Sequence, residues 1–237
     1  MTAGNTLDRH VVGHLLAAMG IDAWGVAANV PRLPRAAELP TAISFMVRIA
    51  PESLRGLVTG PTRAYLEEYH RLNLALDAGA GALVEELEAH GHHALPVRST
   101  SDKAVPDEPE DDGLGTWFSH KTAATQAGLG WIGKTALFVS AEFGPAVRLA
   151  TVFTEAELPA GEPITSGRCG TCRACVDACP AGCGRNVTWQ AGMPRDQLFD
   201  AAACRARMKG QALTTDVCGI CVAACPLARE LQATPAK

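Results

Sequence analysis

The fifteen residues Cys169-Gly-Thr-Cys-Arg-Ala-Cys-Val-Asp-Ala-Cys-Pro-Ala-Gly-Cys183 hold five of the nine cysteines of this 237-residue chain. Four of them, with Pro180 after the last, form the pattern C-x2-C-x2-C-x3-C-P: Cys169, Cys172, Cys175 and Cys179. In bacterial ferredoxins this pattern supplies three thiolates to one 4Fe–4S cluster and a fourth thiolate to a neighbouring cluster. The stretch therefore predicts a fold built around two iron–sulfur clusters.

A second cysteine run, Cys-Gly-Ile-Cys-Val-Ala-Ala-Cys-Pro at residues 218–226, repeats the pattern without its first cysteine. Cys204 is the only cysteine between the two runs, so it is the candidate for the missing ligand. By the ferredoxin crossing rule, one cluster takes Cys169, Cys172, Cys175 and Cys225. The other takes Cys179, Cys204, Cys218 and Cys221. Cys183 is left over, and we interpret it as a structural or incidental thiol.

Two alternatives remain for these thiols. Structural zinc also uses C-x2-C pairs, but it needs four ligands from two separated pairs, so a third cysteine followed by C-P is surplus. For Cys204 the alternative is an inert buried thiol.

Composition places the chain among globular proteins, with 47% hydrophobic and 19% charged residues. The formal net charge of −4 gives no electrostatic reason to expect a nucleic-acid or membrane partner. The first residues lack the pattern of a signal peptide, and no apolar run is long enough to cross a bilayer. We therefore expect a cytoplasmic protein. In that reducing compartment, closely spaced cysteines are metal ligands or redox groups more often than disulfides.

The cysteines also mark a domain boundary, because none precedes residue 169. A Pro- and Gly-rich stretch at residues 157–167 is typical of a linker. We predict an α/β domain over residues 1–160 and a cluster-binding domain over residues 161–237.

Helical and strand-like patterns alternate along the first domain. Helices are predicted over residues 6–19 and 61–91, with strands over 22–28, 42–49 and 93–99. An acidic surface loop is predicted over 102–115, and a hairpin or tight return between strands at 135–140 and 147–154. The pattern predicts a three-layer α/β domain.

A glycine-rich element, Gly128-Leu-Gly-Trp-Ile-Gly-Lys134, follows a short predicted helix. Three glycines around a tryptophan allow a close backbone approach, as bulky or anionic ligands require. The spacing matches neither a dinucleotide fingerprint nor a Walker A loop. The residues alone leave a ligand-binding loop and a tight turn equally open.

An ordered set of features in this chain resembles the epoxyqueuosine reductase family. They are Ala-Gly-Leu-Gly-Trp-Ile-Gly-Lys at 127–134, a strand pair after it, and the double cysteine motif with a lone cysteine between its two runs. Tyr-Leu-Glu-Glu-Tyr-His-Arg-Leu at 65–72 is similar to that family's Tyr-His segment. The resemblance implies an α/β fold, a three-layer nitroreductase-like domain with a mixed sheet that binds cobalamin, followed by a small two-cluster ferredoxin-like domain.

The resemblance also implies an oxidoreductase. In that family, an external electron donor of the flavodoxin or ferredoxin type reduces the clusters, and the clusters pass electrons to the cobalt. The reaction removes the epoxide oxygen of a modified tRNA nucleoside. Reductive dehalogenases share this architecture with a different leaving group. The implied cobalamin contacts are in the glycine-rich element: Gly128, Gly130, Trp131, Gly133 and Lys134.

Two departures from the family argue against carrying tRNA over as the partner. First, the V-D-S-x-P segment that carries the family's acidic proton donor is missing, and Asp111 and Asp112 lie out of register with it. His120 becomes the candidate catalytic residue, and the alternative is a surface residue at a helix start. The chain also ends soon after Cys225, without the C-terminal helical repeats of longer members.

Two other functions fit the same residues. One is a ferredoxin-like electron-transfer protein without a corrinoid. The other is a flavin-binding reductase, since nitroreductase-like sheets commonly hold flavin. For Tyr69 and His70, packing on the sheet and a role in a pocket are equally open.

Overall fold

The computed structural model describes residues 7–28, 30, 33–99, 117–213 and 217–228. Its α-helices are α1 (Arg9–Ala18), α2 (Arg63–Ala89), α3 (His120–Gln126), α4 (Ala174–Asp177), α5 (Ala201–Lys209) and α6 (Ile220–Ala224). Its strands are β1 (Ala23–Ala28), β2 (Thr41–Arg48), β3 (Ala94–Val97), β4 (Gly130–Ile132), β5 (Phe138–Ser140) and β6 (Val147–Thr154). The predicted acidic loop at 102–115, including Asp111 and Asp112, lies outside the described residues. No helix in the described ranges is both long and apolar enough to cross a membrane.

Helix α1 begins where the sequence supplies a cap. The Asp8 carboxylate accepts hydrogen bonds from the backbone N–H groups of His10 and Val11, at 2.7 and 3.0 Å. These bonds satisfy donors that have no partner inside the helix. Val12 and Leu16, one turn apart on the same face, are then fully buried.

The main sheet has the strand order β1-β2-β6-β3, and every neighbouring pair is antiparallel. The mixed sheet implied by the resemblance is therefore wrong for the described strands. Strands β2 and β3 do point the same way, as expected for strands joined through helix α2. However, β6 lies between them and pairs antiparallel with both.

Alternate side chains of β2 pack on opposite faces of this sheet. Ile43 and Phe45 belong to the core shared with α1 and α2, whereas Ala42 and Met46 pack with residues of α3. This period of two is the one expected of a strand buried on both faces. The predicted three-layer helix–sheet–helix arrangement is confirmed, although its nitroreductase-like character stays a prediction.

The hairpin predicted between residues 135–140 and 147–154 is wrong, because the two strands join different sheets. β6 belongs to the main sheet, and β5 pairs antiparallel with β4 in a separate two-stranded sheet. The tight return is present, since Ser140 N–H donates to the Gly144 carbonyl at 2.8 Å. Strand β4 begins inside the glycine-rich element. Because glycine has no side chain, this element does not show the alternation of apolar and polar residues that predicts a strand.

The segment predicted as a linker is hydrogen-bonded to the α/β layers. Gly161 N–H donates to the Val26 carbonyl at 2.8 Å, and Ile164 N–H donates to the Thr125 carbonyl at 2.9 Å. Beyond it, Trp189 and Leu198 share a hydrophobic cluster with residues of β4 and β5. The two parts of the chain therefore pack on one another, and a domain boundary near residue 160 stays a prediction.

Helix α2 runs for 27 residues through both of its glycines. A Cβ on Gly79 would lie 3.6 Å from Ile21 and from Phe45, in ordinary contact, whereas a Cβ on Gly81 would meet nothing within 4 Å. Gly81 therefore contributes no close packing and retains the entropic disadvantage of glycine in a helix.

Gly81→Ala is expected to raise the free energy of unfolding by about 0.8–1 kcal/mol, because alanine has the higher helix propensity and the site is open. Chemical denaturation measures the change. Gly91→Ala is the matched control, since Gly91 has a φ of +82° after the helix end and an alanine there is strained. A loss of stability in Gly81→Ala would contradict the expectation.

Candidate cluster sites and an adjoining cavity

The first thiol group surrounds a small pocket of about 40 Å³. All four cysteines predicted to bind one cluster line it: Cys169, Cys172, Cys175 and Cys225. Apolar side chains form much of the remaining wall: Leu137, Val139, Pro145 and Pro226. Burial raises the pKa of Cys175 and of Cys225, so their thiolates are unfavourable unless a cation binds them.

The glycine-rich element positions the loop that begins at Cys169. Trp131 Nε1 donates to Cys169 Sγ at 3.5 Å, and Lys134 Nζ donates to the Gly170 carbonyl and to Asn186 Oδ1, both at 2.9 Å. Lys134 is only 4% exposed, so its charge is held by this loop and not by solvent. Donors close to a ligating sulfur also tune a cluster's potential.

The second thiol group joins residues from three parts of the chain. Helix α5 carries Cys204, and α6 carries Cys221, one turn after Cys218. Burial raises the pKa of Cys204, and the nearby thiols of Cys218 and Cys179 raise it further. The four cysteines predicted for the other cluster are therefore neighbours.

Cys221 connects the two groups. Burial raises its pKa to about 12, and the neighbouring thiols that add to the shift come from both groups, Cys218 first and then Cys175. Cys221 also lines the pocket of the first group. The two sets of thiols therefore adjoin, as electron transfer between two clusters requires.

Cys183 lies in the second group, although the spacing pattern assigns it no ligand position. Its side chain is 1% exposed, and its thiol hydrogen-bonds with Cys179 and with Cys204. Burial, and then the bond to Cys179, raises the pKa of Cys183 to about 12. No spacing rule identifies such a residue, because Cys183 follows Cys179 outside the ferredoxin pattern.

Gly128 and Gly130 allow a close approach by protein backbone. A Cβ on Gly130 would lie 2.1 Å from the Val139 carbonyl oxygen, and one on Gly128 would lie 2.5 Å from the Glu162 carbonyl oxygen. Gly128 also has a φ of +77°. The pairing of β4 with β5 therefore requires a glycine at 130, and the approach of the 157–167 segment requires one at 128. That a corrinoid touches Gly128, Gly130, Trp131, Gly133 or Lys134 stays a prediction.

A cavity of about 320 Å³ lies beside the first thiol group. Its described lining combines an apolar wall, Phe118, Leu137, Phe138, Pro145, Val147 and Leu149, with polar residues, Tyr69, Arg98, Ser99, Ser119, His120, Lys121 and Arg148. Leu137 and Pro145 also line the pocket of the first thiol group. One layer of side chains therefore separates the thiols from the cavity.

His120 lines this cavity with both ring nitrogens engaged by the protein. Nε2 lies 2.8 Å from the Arg98 carbonyl, which can only accept, so Nε2 carries the proton. Nδ1, 3.0 Å from Thr151 Oγ1, therefore accepts from that hydroxyl. Burial lowers the pKa of His120 to about 4, and the Arg148 cation lowers it further, so the ring is neutral near pH 7.

Lys121, the next residue of α3, also lines the cavity. Its Nζ donates to the Ala136 carbonyl at 2.8 Å. Burial lowers its pKa to about 8, and the Arg195 cation adds to the effect. The group therefore holds a proton at neutral pH and releases it a little above, a range suited to an acid catalyst.

Arg148 and Tyr69 form the side of the cavity next to α2. The Arg148 guanidinium lies 4.1 Å from the centre of the Tyr69 ring, and its Nε donates to Asn73 Oδ1 at 2.9 Å. Of the two residues with open roles, Tyr69 lines the cavity, while His70 is exposed and contacts the Tyr69 ring edge-on.

Comparison with known proteins identifies the relatives of this arrangement. No family model matches the chain. Epoxyqueuosine reductase of Bacillus anthracis is 38% identical over 65 residues, which are 27% of this chain and 17% of that protein. Over these residues the chain is similar to the epoxyqueuosine reductases. Because the match spans about a sixth of that enzyme's length, it does not carry the enzyme's activity with it.

Solved structures show the same fold over nearly the whole chain. A catabolic reductive dehalogenase in complex with 3-bromo-4-hydroxybenzoic acid superposes with a TM-score of 0.76 at 17% identity, over 98% of this chain and 34% of that one. Epoxyqueuosine reductase with an epoxyqueuosine-modified tRNA-Tyr stem loop gives a TM-score of 0.63 at 17% identity, over 93% of this chain and 65% of that one.

Sequence reasoning found the thiols but missed much of the cavity. Lys121 adjoins the predicted His120, yet a surface lysine in the first turn of a helix gives no sign of burial. Arg148 lies in a strand, where its alternation with apolar neighbours indicates an exposed position. Only the packing of α2 and α3 on opposite faces of the sheet brings these two cations to one cavity.

Proposed function

We propose that the chain is an iron–sulfur reductase that delivers electrons through two 4Fe–4S clusters to a corrinoid at the cavity, for reductive cleavage of a substrate bond. The observation that carries this proposal is the wall shared by the first thiol group and the cavity, formed by Leu137 and Pro145. A redox centre at the thiols would lie one side chain away from a molecule in the cavity.

The thiols fit two clusters in their chemistry and number. The four thiols predicted for the first cluster line one pocket, and Cys221 of the second set also reaches it, so two adjoining sets each match the ligand count of a 4Fe–4S cluster. In the described residues, no three His, Cys, Asp or Glu side chains converge closely enough to hold a single metal ion. The thiols surround a space, which supports a cluster over the zinc alternative.

The cavity fits a corrinoid in chemistry, because a broad apolar wall suits a macrocycle and the cations suit its polar periphery. Its 320 Å³ is near the lower limit for small-molecule sites, so a corrinoid would also occupy the adjoining surface. When bound, the corrinoid supplies a low-potential metal centre that attacks or reduces the substrate. Flavin is the alternative occupant.

The chain's own residues would bind and orient the substrate and protonate its leaving group. Lys121 would deliver the proton that the leaving heteroatom needs, since it is protonated at neutral pH and lines the cavity. We assign this role to Lys121 over the earlier candidate His120, because His120 is neutral and its Nε2–H is held by the Arg98 carbonyl. His120 would then position the end of β3 against α3.

The substrate and the electron donor are also proposals. The related enzymes suggest either removal of an epoxide oxygen, as their name indicates, or removal of a halide. A tRNA partner belongs to the first possibility, and a small halogenated molecule to the second. Two electrons would come from an external flavodoxin- or ferredoxin-type protein, since the glycine-rich element does not have the spacing of a dinucleotide-binding fingerprint.

Anaerobic absorbance spectroscopy tests the function. We expect iron–sulfur absorbance, about eight irons per chain, and new corrinoid bands on titration with cobalamin. Cluster absorbance with no bound corrinoid or flavin would instead support the electron-transfer alternative. Flavin binding without corrinoid binding would support the flavin reductase, and absence of iron would contradict all three. Reduction assays on epoxyqueuosine-containing tRNA and on a bromophenol then separate the two substrates.

Lys121→Met is expected to lower the steady-state rate by about 10²–10⁴-fold, the usual contribution of a general acid. In the unaltered protein the rate should fall as pH rises through about 8, because Lys121 loses its proton there. The pH–rate profile measures both effects. Lys209→Met, at the exposed end of α5, is the matched control. An unchanged rate in Lys121→Met would contradict the assignment.

A further inference from the structure

Five thiols, one more than a 4Fe–4S cluster needs, meet at the second cluster position. Four are the predicted ligands Cys179, Cys204, Cys218 and Cys221. The fifth, Cys183, is 1% exposed and hydrogen-bonds to the Cys179 thiol.

The backbone around Cys183 fixes it beside the second group. The Cys183 carbonyl accepts from Asp200 N–H at 2.9 Å, and Arg185 N–H donates to the Leu198 carbonyl at 2.9 Å. Asp200 in turn caps α5, the helix that carries Cys204. Cys183 is therefore held in place by the structure that carries the cluster ligands, and its burial does not depend on a cluster being present.

Cys179 and Cys183 belong to one turn. Gly182 N–H donates to the Cys179 carbonyl at 3.0 Å, and Gly182 has a φ of +59°. The three residues between the two cysteines are Pro180, Ala181 and Gly182, all small or exposed. A change of side-chain rotamer, with a small shift of this turn, can bring the Cys183 sulfur towards the position of the Cys179 sulfur.

We propose that Cys183 is a reserve ligand for the second cluster and replaces Cys179 when that thiol is lost. In the exchange the Cys183 S–H bond breaks, its proton passes to solvent, and a new Fe–S bond forms at the iron that Cys179 leaves. No electron is transferred. This proposal rests on the two-cluster assignment above.

Cys183 also has a consequence in the intact protein, because its thiol hydrogen-bonds with Cys179, a predicted ligand. Hydrogen bonds to ligating sulfurs raise a cluster's reduction potential. Removing Cys183 alone would therefore change the potential of the second cluster without removing its iron.

Iron content after anaerobic reconstitution tests the reserve role. Cys179→Ala is expected to keep about eight irons per chain, because four thiols remain, and Cys179→Ala/Cys183→Ala is expected to keep about four. Cys183→Ala should keep about eight. Cys218→Ala is the matched control and should keep about four, since the turn that carries Cys183 joins it to Cys179.

A Cys179→Ala protein with four irons or fewer would overturn the proposal, whether it loses one cluster or fails to fold. Alkylation gives a second measurement. In iron-loaded Cys179→Ala, Cys183 should resist iodoacetamide and should react after iron is chelated, and alkylation of Cys183 in the iron-loaded protein would also overturn the proposal. Unaltered protein without iron would instead contradict the proposed function, so the two failures are distinct.

Discussion

Cys225→Ala is expected to reduce the iron content from about eight to about four atoms per chain and to stop electron delivery to the cavity. Cys225 lies in the pocket of the first thiol group with Cys169 and Cys175, and this is the group that shares Leu137 and Pro145 with the cavity. The fifth thiol of this pocket, Cys221, is predicted to bind the second cluster, so one lost ligand should cost the whole first cluster.

Iron analysis and the rate of corrinoid reduction by dithionite-reduced protein measure this result. The expected rate falls to that of free corrinoid in the same buffer, while the remaining iron keeps the absorbance of one cluster. Cys183→Ala is the control, because it also removes a buried thiol but leaves eight predicted ligands. Full iron content in Cys225→Ala would contradict the ligand assignment, and full iron loss would show that the two groups form only together.

Gly130→Ala is expected to lower the free energy of unfolding by about 3 kcal/mol, the upper part of the range for overpacking. The added Cβ would lie 2.1 Å from the Val139 carbonyl oxygen and 2.7 Å from Phe138, so β4 and β5 could no longer pair as they do. Backbone atoms cannot rotate away from the new methyl group as a flexible side chain could.

The effect should extend beyond the two strands. Trp131, next to Gly130, bonds the Cys169 sulfur, so displacement of β4 should also weaken cluster binding. Thermal denaturation and iron content measure the two consequences. Gly81→Ala is the contrasting control, since the same substitution at an open helical site should stabilise the protein. A Gly130→Ala protein as stable as the unaltered one would contradict the packing argument.

Local patterns were enough to predict the elements with strong caps or periodicity. Apolar residues at helical spacing, Leu7, Val11, Leu15 and Ala18, predicted α1, and a short β-rich run predicted β2. Sheet topology was not predictable from them. Nothing local in β6 specifies that it inserts between β2 and β3, and the glycines of β4 carry no side chains from which a strand pattern could be recognised.

The candidate site likewise has a part that local sequence predicts and a part that depends on long-range contacts. Thiol spacing identified all eight predicted cluster ligands, because a tight loop forces closely spaced cysteines to one place. It interpreted Cys183 as incidental, since the pairing of residues 183–185 with 198–200 is a long-range contact. Lys121 and Arg148 were not predicted for a related reason, because the cavity that they line is formed by strands and helices far apart in sequence.

The sequence by itself determined the chemistry that the chain can hold, a double set of thiols and a glycine-rich element, because ligand spacing and backbone freedom are local properties. Only the tertiary structure decided where that chemistry acts. It placed the glycines against β5 and the Cys169 loop and brought a fifth thiol to the second group. It also set a cavity lined by the half-buried His120 and Lys121 one side chain from the first group. Those placements depend on packing across the sheet, which no short stretch of sequence encodes.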